Sequence, residues 1–196
     1  TPTTHVAGHL WAVGTPAEPL RVDGDVEIEG DLVIGGVVNG RGSLRARGMV
    51  VVVGSLRVDG QLALVAGTDL LAGAPVEAGG LARFVREAQR APLDLPTWIS
   101  PERLARMGDR AEGTLALEAF CFAPRHVIVV APRGAAGGDV RVRGGLVAEI
   151  IAVHAPGELL LEDDPDTRAL LELRAPLGLE LRALPRGARA RSDHGR

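Results

Sequence analysis

Between Leu20 and Leu64 apolar residues recur in pairs, two positions apart, on a beat of six residues marked by glycine. The glycines are Gly24, Gly30, Gly36, Gly42, Gly48, Gly54 and Gly60. Val26 and Ile28, Leu32 and Ile34, Val50 and Val52, Leu56 and Val58, and Leu62 and Leu64 fill the apolar positions. Leu44 and Ala46 fit more weakly, and Val38 is followed by Gly40 where a second apolar residue belongs. Apolar residues two apart line one face of a strand. A glycine supplies the tight bend that other residues make only with strain. Short strands with one inward face, bent at regular corners, predict a mainly β chain wound as a β-solenoid. Three six-residue sides give a turn of about 18 residues, so each residue stacks on the one a full turn later. That spacing places Glu27 on Arg45 and Glu29 on Arg47, and forms an acid–base–acid column of Asp23, Arg41 and Asp59. Arg21, Asn39 and Arg57 then share a column without pairing.

Two other folds share parts of this pattern. A hairpin meander would use Asp23-Gly24, Asn39-Gly40 and Asp59-Gly60 as turns, but the beat never slips over the ladder. A left-handed hexapeptide helix places an aliphatic residue before each corner. Here those positions read Asp23, Glu29, Gly35, Arg41, Arg47, Val53 and Asp59, which is the wrong phase.

The pattern divides the chain into five parts. Residues 1–17 form an N-terminal segment expected to cap the open end of the solenoid, with Trp11 over the first turn. Residues 18–66 are the hexad solenoid. Within it Met49–Val53 is apolar on both faces, so its outer face is expected to dock a neighbouring sheet, helix or subunit. Residues 67–112 are a short helical insertion. Leu81, Phe84, Val85 and Ala88 follow helical spacing, and Ser100 caps a second helix with Pro101 at its first position. Residues 113–184 resume the solenoid and close it: Leu115 and Leu117 alternate, Val127–Val130 is wholly apolar, and Gly138 and Gly144 return to the six-residue beat with Val140, Val142 and Leu146. A short helix capped by Asp164 or Asp166 follows, then a last strand through Leu177, Leu179 and Leu181. Residues 185–196 are a basic tail expected to be disordered.

Composition narrows the function classes. Apolar residues make 46% of the 196, enough for a real core, while aromatics are 3% and tyrosine is absent. That argues against a groove that stacks bases or sugars. Lys and Arg together number 22, all of them Arg, and the net charge is −3, so no global basic surface points to nucleic acid. No apolar run is long enough to span a membrane. The start Thr1-Pro2-Thr3-Thr4 leaves open a natural terminus or the soluble part of a longer, anchored protein.

No catalytic, cofactor-binding or metal-binding residue set is read, and no cofactor is expected. His5 and His9 have a metal-ligand spacing on a helix, but their segment is not helical and no carboxylate or cysteine accompanies them in sequence. Cys121, between two phenylalanines, reads as a small core residue. His126 has no nucleophile by motif, and Glu87, Asp94, Glu102 and Asp109 are scattered solvated acids. The glycine run of 134–138 lacks the Lys-Ser/Thr and helix of a phosphate loop. Arg21 and Arg57 on one column could meet phosphate, but acids at 23, 25, 27, 29, 31 and 59 surround them.

Residues 144–165 carry the most specific text: Gly144-Gly-Leu-Val-Ala-Glu-Ile-Ile-Ala-Val-His-Ala-Pro-Gly157 followed by Glu-Leu-Leu-Leu-Glu-Asp-Asp164-Pro165. This resembles the C-terminal part of PilX-like pilus-assembly proteins, the large minor pilins of type IV pili. Gly145, Ala148, Gly157, Asp164 and Pro165 match that pattern, with Asp163 where the family often has Tyr. The similarity covers residues 20–66 and 113–175. It implies a non-enzymatic display subunit at the periplasmic face of the membrane or the cell surface. Its partners would be other pilus subunits, surface ligands or DNA, and it would meet the membrane only through an N-terminal helix absent from this chain. The hexads also resemble bactofilins, cytoplasmic cytoskeletal polymers that assemble through the open ends of a solenoid. Their cores are uninterrupted, unlike this one. An enzyme on a β-helix would need acids, Lys or His lining a cleft on successive turns, which the sequence does not supply.

Overall fold

The computed structural model describes residues 3–73, 114–131, 138–155 and 157–166. The expected helices at 81–90 and 100–107, most of the glycine run, the expected last strand and the basic tail lie outside them.

Among the described residues eleven strands form one stack: β1 (Thr3–Val6), β2 (Leu10–Gly14), β3 (Leu20–Ile28), β4 (Leu32–Ala46), β5 (Val50–Ala66), β6 (Asp69–Gly73), β7 (Thr114–Phe122), β8 (His126–Val130), β9 (Asp139–Val147), β10 (Ile150–His154) and β11 (Leu159–Asp163). All their pairings are parallel. A meander of hairpins would pair antiparallel, so the chain is a β-solenoid, of about 6 turns with ~20 residues each.

Each turn contributes three sides. The first runs through β1, the end of β3, the ends of β4 and β5, then β7 and β9. The second stacks β2, the starts of β4 and β5, then β6, β8 and β10. The third stacks the start of β3, the middles of β4 and β5, the starts of β7 and β9, then β11. Residues 1–17 thus hold two strands of the stack as well as its first end. The solenoid also persists past Ala66, because β6 occupies Asp69–Gly73, where the sequence pattern places the start of the insertion. Trp11 pairs in register with Val33. Its strand neighbour Leu10 packs on the core, so alternation directs Trp11 to the outer face instead of over the end.

The inward columns are aliphatic throughout. Leu32, Val50, Leu70 and Val127 stack in one, and Ile34, Val52, Ala72 and Val129 in the next. Cys121 continues the column of Leu44 and Leu64. Each fully buried Leu or Ile contributes roughly 1.5–3 kcal/mol relative to exposure. This continuous core holds the turns together.

The register holds at 18 residues from Leu20↔Val38 to Ile28↔Ala46, and from Leu32↔Val50 to Gly35↔Val53. It then slips: Gly36 faces Leu56, and a spacing of 20 continues to Ala46↔Ala66. Gly54 and Ser55 are the two extra residues at that corner. The slip corrects two expected columns. Asp23 does face Arg41, but Arg41 faces Gln61; Asn39, not Arg41, faces Asp59. Arg57 faces Val37, so it shares no column with Arg21. Glu27 faces Arg45 as expected. Its carboxylate nevertheless lies 3.3 Å from His5 Nδ1, while Arg45 Nε donates to Ser43 Oγ at 3.3 Å and Ser43 Oγ donates to Asp25 at 2.6 Å.

Outer charge pairs are legible near the far end as well. Arg141 donates to Glu162 one turn above through contacts of 2.9–3.2 Å. Both side chains are substantially solvated, so Arg141→Ala is expected to change the unfolding free energy by no more than about 1 kcal/mol. Urea denaturation at two salt concentrations checks this. A loss well above that, insensitive to salt, would show that the pair is not a solvated surface contact.

Candidate functional site

The chemistry-bearing side chains gather where the first side turns into the second. There the ladder is interrupted, and short polar residues precede the strands of the second side. Asp31 precedes β4 and Asp69 opens β6. Their backbone positions belong to one column, with Met49 between them and His126 above.

Asp31 reaches both ways along this seam. Its carboxylate accepts the Met49 amide hydrogen at 2.7 Å in the turn above. Its own amide donates to His9 Nδ1 at 3.0 Å in the turn below, and that nitrogen is 3.2 Å from the carboxylate. Nδ1 can accept from the amide when neutral and donate to the carboxylate when protonated. Carboxylates therefore do accompany His5 and His9, through Glu27 and Asp31 of the next turn. Among the described residues, however, no group of three His, Cys, Asp or Glu could hold a metal ion.

Among the described residues Asp69 is the most deeply buried charged group. Its side chain is 0% exposed, and it is held by Arg125 at Oδ2 and by His126 Nδ1 at 2.6 Å from Oδ1. Asp69 raises the Arg125 pKa above its ordinary value, first through the hydrogen bond and then through charge. Its two oxygens are engaged by two donors from the following turn. The arrangement serves as an anionic rivet between turns, because a buried carboxylate is tolerable only when paired and hydrogen-bonded. Neither Asp69 nor Arg125 stood out in the sequence. Their separation of 56 residues spans the expected insertion, and no periodicity links them.

A second polar cluster repairs a break on the third side. β7 faces β5 at Leu56↔Leu117 and again at Ala63↔Phe120, leaving the intervening corner of β5 without regular partners. Glu118 accepts the Val58 amide hydrogen at 3.0 Å, and Arg143 donates to the Val58 carbonyl at 3.0 Å. Arg143 also lies 3.5 Å from Glu118 and 4.0 Å from Asp164. These side chains stand in for the missing strand, since a buried backbone polar group must find a partner.

Cys121 lies fully buried in the aliphatic column, and burial pushes its pKa up to about 12. The thiolate is the reactive form. Cys121 is therefore expected to resist a maleimide at neutral pH in the folded protein and to react fully in denaturant. The thiol's contribution to stability is complete below the ordinary thiol range. It is lost as pH rises toward about 12, because the unfolded chain releases that proton first. Rapid labelling without denaturant would contradict this placement.

The outer face of the second side is apolar, as Met49–Val53 led one to expect. Its central side chains have little exposure to solvent. Residues 144–155 and 157–165 lie at the end of the stack, with Gly145 in β9, the exposed end strands β10 and β11, and Asp164 accepting the Asp166 amide hydrogen at 3.1 Å. No family model, curated protein or solved structure matches the chain.

Proposed function

We propose that this chain is a non-enzymatic display scaffold, the projecting part of a minor subunit in a type IV pilus-like surface machine. The observation that supports it best is the aliphatic core that runs through successive parallel turns on either side of residues 74–113. Such a stack is quasi-one-dimensional and suits a part that holds surfaces away from an anchoring point. Asp31, Asp69 and Glu118 use their close partners to join one turn to another. The text that resembles PilX-like proteins lies at one end of the rod, in β9, β10 and β11. Other pilus subunits or surface ligands are the partners this reading names. DNA is a weaker candidate, because Arg21 and Arg57 stand in different columns.

The gene is the first test. On this reading it encodes a prepilin cleavage site and about twenty apolar residues upstream of Thr1, and its deletion in the source organism reduces surface pili. Normal piliation after deletion would sink the proposal. Retention of DNA on a filter at low salt, lost as salt rises, would add DNA to the partners.

One observation favours the bactofilin-like alternative. At the far end Ile151 and Leu161 point inward in register with Val127 and Val142, yet are 46% and 60% exposed. An uncovered core layer beside open strand edges is a template for stacking another copy. Electron microscopy of the purified chain separates the two: filaments support the polymer, monodisperse particles the display subunit.

A further inference from the structure

The outer face of the second side raises a question that the strands do not answer. Val33, Val51, Leu71 and Ile128 form one outward row across four turns, with Val53 and Val130 beside it. These six side chains are between 0% and 4% exposed. In an uncovered sheet, outward valines keep part of their surface in water, since neighbours in the sheet shield only their flanks. Every described strand belongs to the stack itself, and none lies across this face. The burial also fades outward: Val13 at one end and Ile150 at the other are 39% and 41% exposed. The cover is thus finite and centred on the middle turns.

We propose that this face is the docking surface for the chain's own residues 74–113. The points of departure and return fit. Gly73, just before the segment, ends β6 on this very side, and Thr114, just after it, opens β7 at the start of the adjoining third side. Both ends of the segment are therefore fixed at the corner that borders the buried patch. The segment also carries suitable chemistry, for Leu81, Phe84, Val85 and Ala88 recur at the spacing of one helical stripe. The dimensions agree. Four strands place Val33 and Ile128 about 14 Å apart, and ten residues of helix would extend about 15 Å. A β-sheet with both faces apolar normally has both faces covered, and this assignment covers the second one without a partner. The third side, which carries Arg21, Asn39, Asp59 and Arg141, then remains solvated, as does the first side at Glu27.

Thiol accessibility in the full chain tests the assignment, with Cys121 as an internal control for folding. Val51→Cys, and independently Leu71→Cys, should label slowly with a maleimide in a protein that light scattering shows to be monomeric. Adding Phe84→Asp and Val85→Asp should speed that labelling by roughly tenfold or more, as local opening becomes easier, while Cys121 stays blocked. Fast labelling without the aspartates would mean that the face is bare. Labelling indifferent to them, with Cys121 blocked, would assign the cover to another segment. A dimer whose dissociation on dilution exposes the thiol would assign it to a second copy. Each of these three outcomes overturns the proposal.

Discussion

Replacing Arg125 by Met and His126 by Leu together is expected to destabilise the protein by about 3–5 kcal/mol, the cost of stranding a buried charge. Both residues hold Asp69, whose side chain has no exposure to solvent, and both come from the turn above it. Arg125 alone should matter less. Its side chain is 58% exposed, and in its absence His126 still donates to the carboxylate. With both gone, Asp69 retains the desolvation penalty and loses both donors. Asp69→Asn in the double variant removes the charge and should recover most of the loss, which separates an electrostatic cause from damaged packing. Urea denaturation of the parent, the double variant, Asp69→Asn alone and the three changes together gives the cycle. A double variant no less stable than the parent, or one that Asp69→Asn fails to rescue, would end the account of Asp69 as a rivet.

That rivet marks a limit of reading the chain as a sequence. The hexad ladder was legible because every inward position repeats the same requirement, an aliphatic side chain facing a narrow core. Val26, Ile28, Leu32, Ile34, Val50 and Val52 therefore announce their sides directly. Asp69 announces nothing, since its partners are set by which turn happens to lie above it. Between Asp69 and those partners, 56 and 57 positions on, stand residues 74–113 of the sequence. The seam at Asp31 was hidden for a related reason: His9 belongs to a first turn whose spacing to the next is 22 residues, Leu10 facing Leu32. Its strands carry few of the hexad signals, so residues 1–17 read as a cap.

The slip at Gly54 and Ser55 shows a subtler limit. The glycine beat continues through Gly60 without interruption, yet the stacking partner of Gly60 is Gly40, not Gly42. Gly40 was the misfit of the ladder, a glycine where an apolar residue was due. Its reason is three-dimensional: it lies beneath Gly60 once the turn lengthens to 20 residues. Periodicity in sequence and periodicity in stacking are separate properties, and an even beat constrains only the first. The extra corner residues are also used, since Ser55 Oγ accepts the Ala116 amide hydrogen at 3.1 Å where β7 joins the stack.

The stacked glycines therefore carry the other large expectation. Gly60→Ala should cost about 3 kcal/mol or more, and two physical causes can be separated by comparison. Gly60 has φ +130°, a region that other residues enter only with strain. A Cβ at Gly60 would also run into the Gly40 carbonyl oxygen of the turn below. Gly8, with φ +82° and open space within 4 Å of where a Cβ would stand, isolates the conformational part. Gly8→Ala should cost only about 1–2 kcal/mol. Gly42 isolates the steric part, for its φ is not positive, but a Cβ would strike the Gly24 carbonyl oxygen. If inter-turn approach is what the ladder protects, Gly42→Ala should destabilise more than Gly8→Ala, and Gly60→Ala most of all. Thermal unfolding of the three variants ranks them. Should Gly8→Ala prove the worst, the glycines would be serving chain direction alone, and the close approach of neighbouring turns would not be the reason for the six-residue beat.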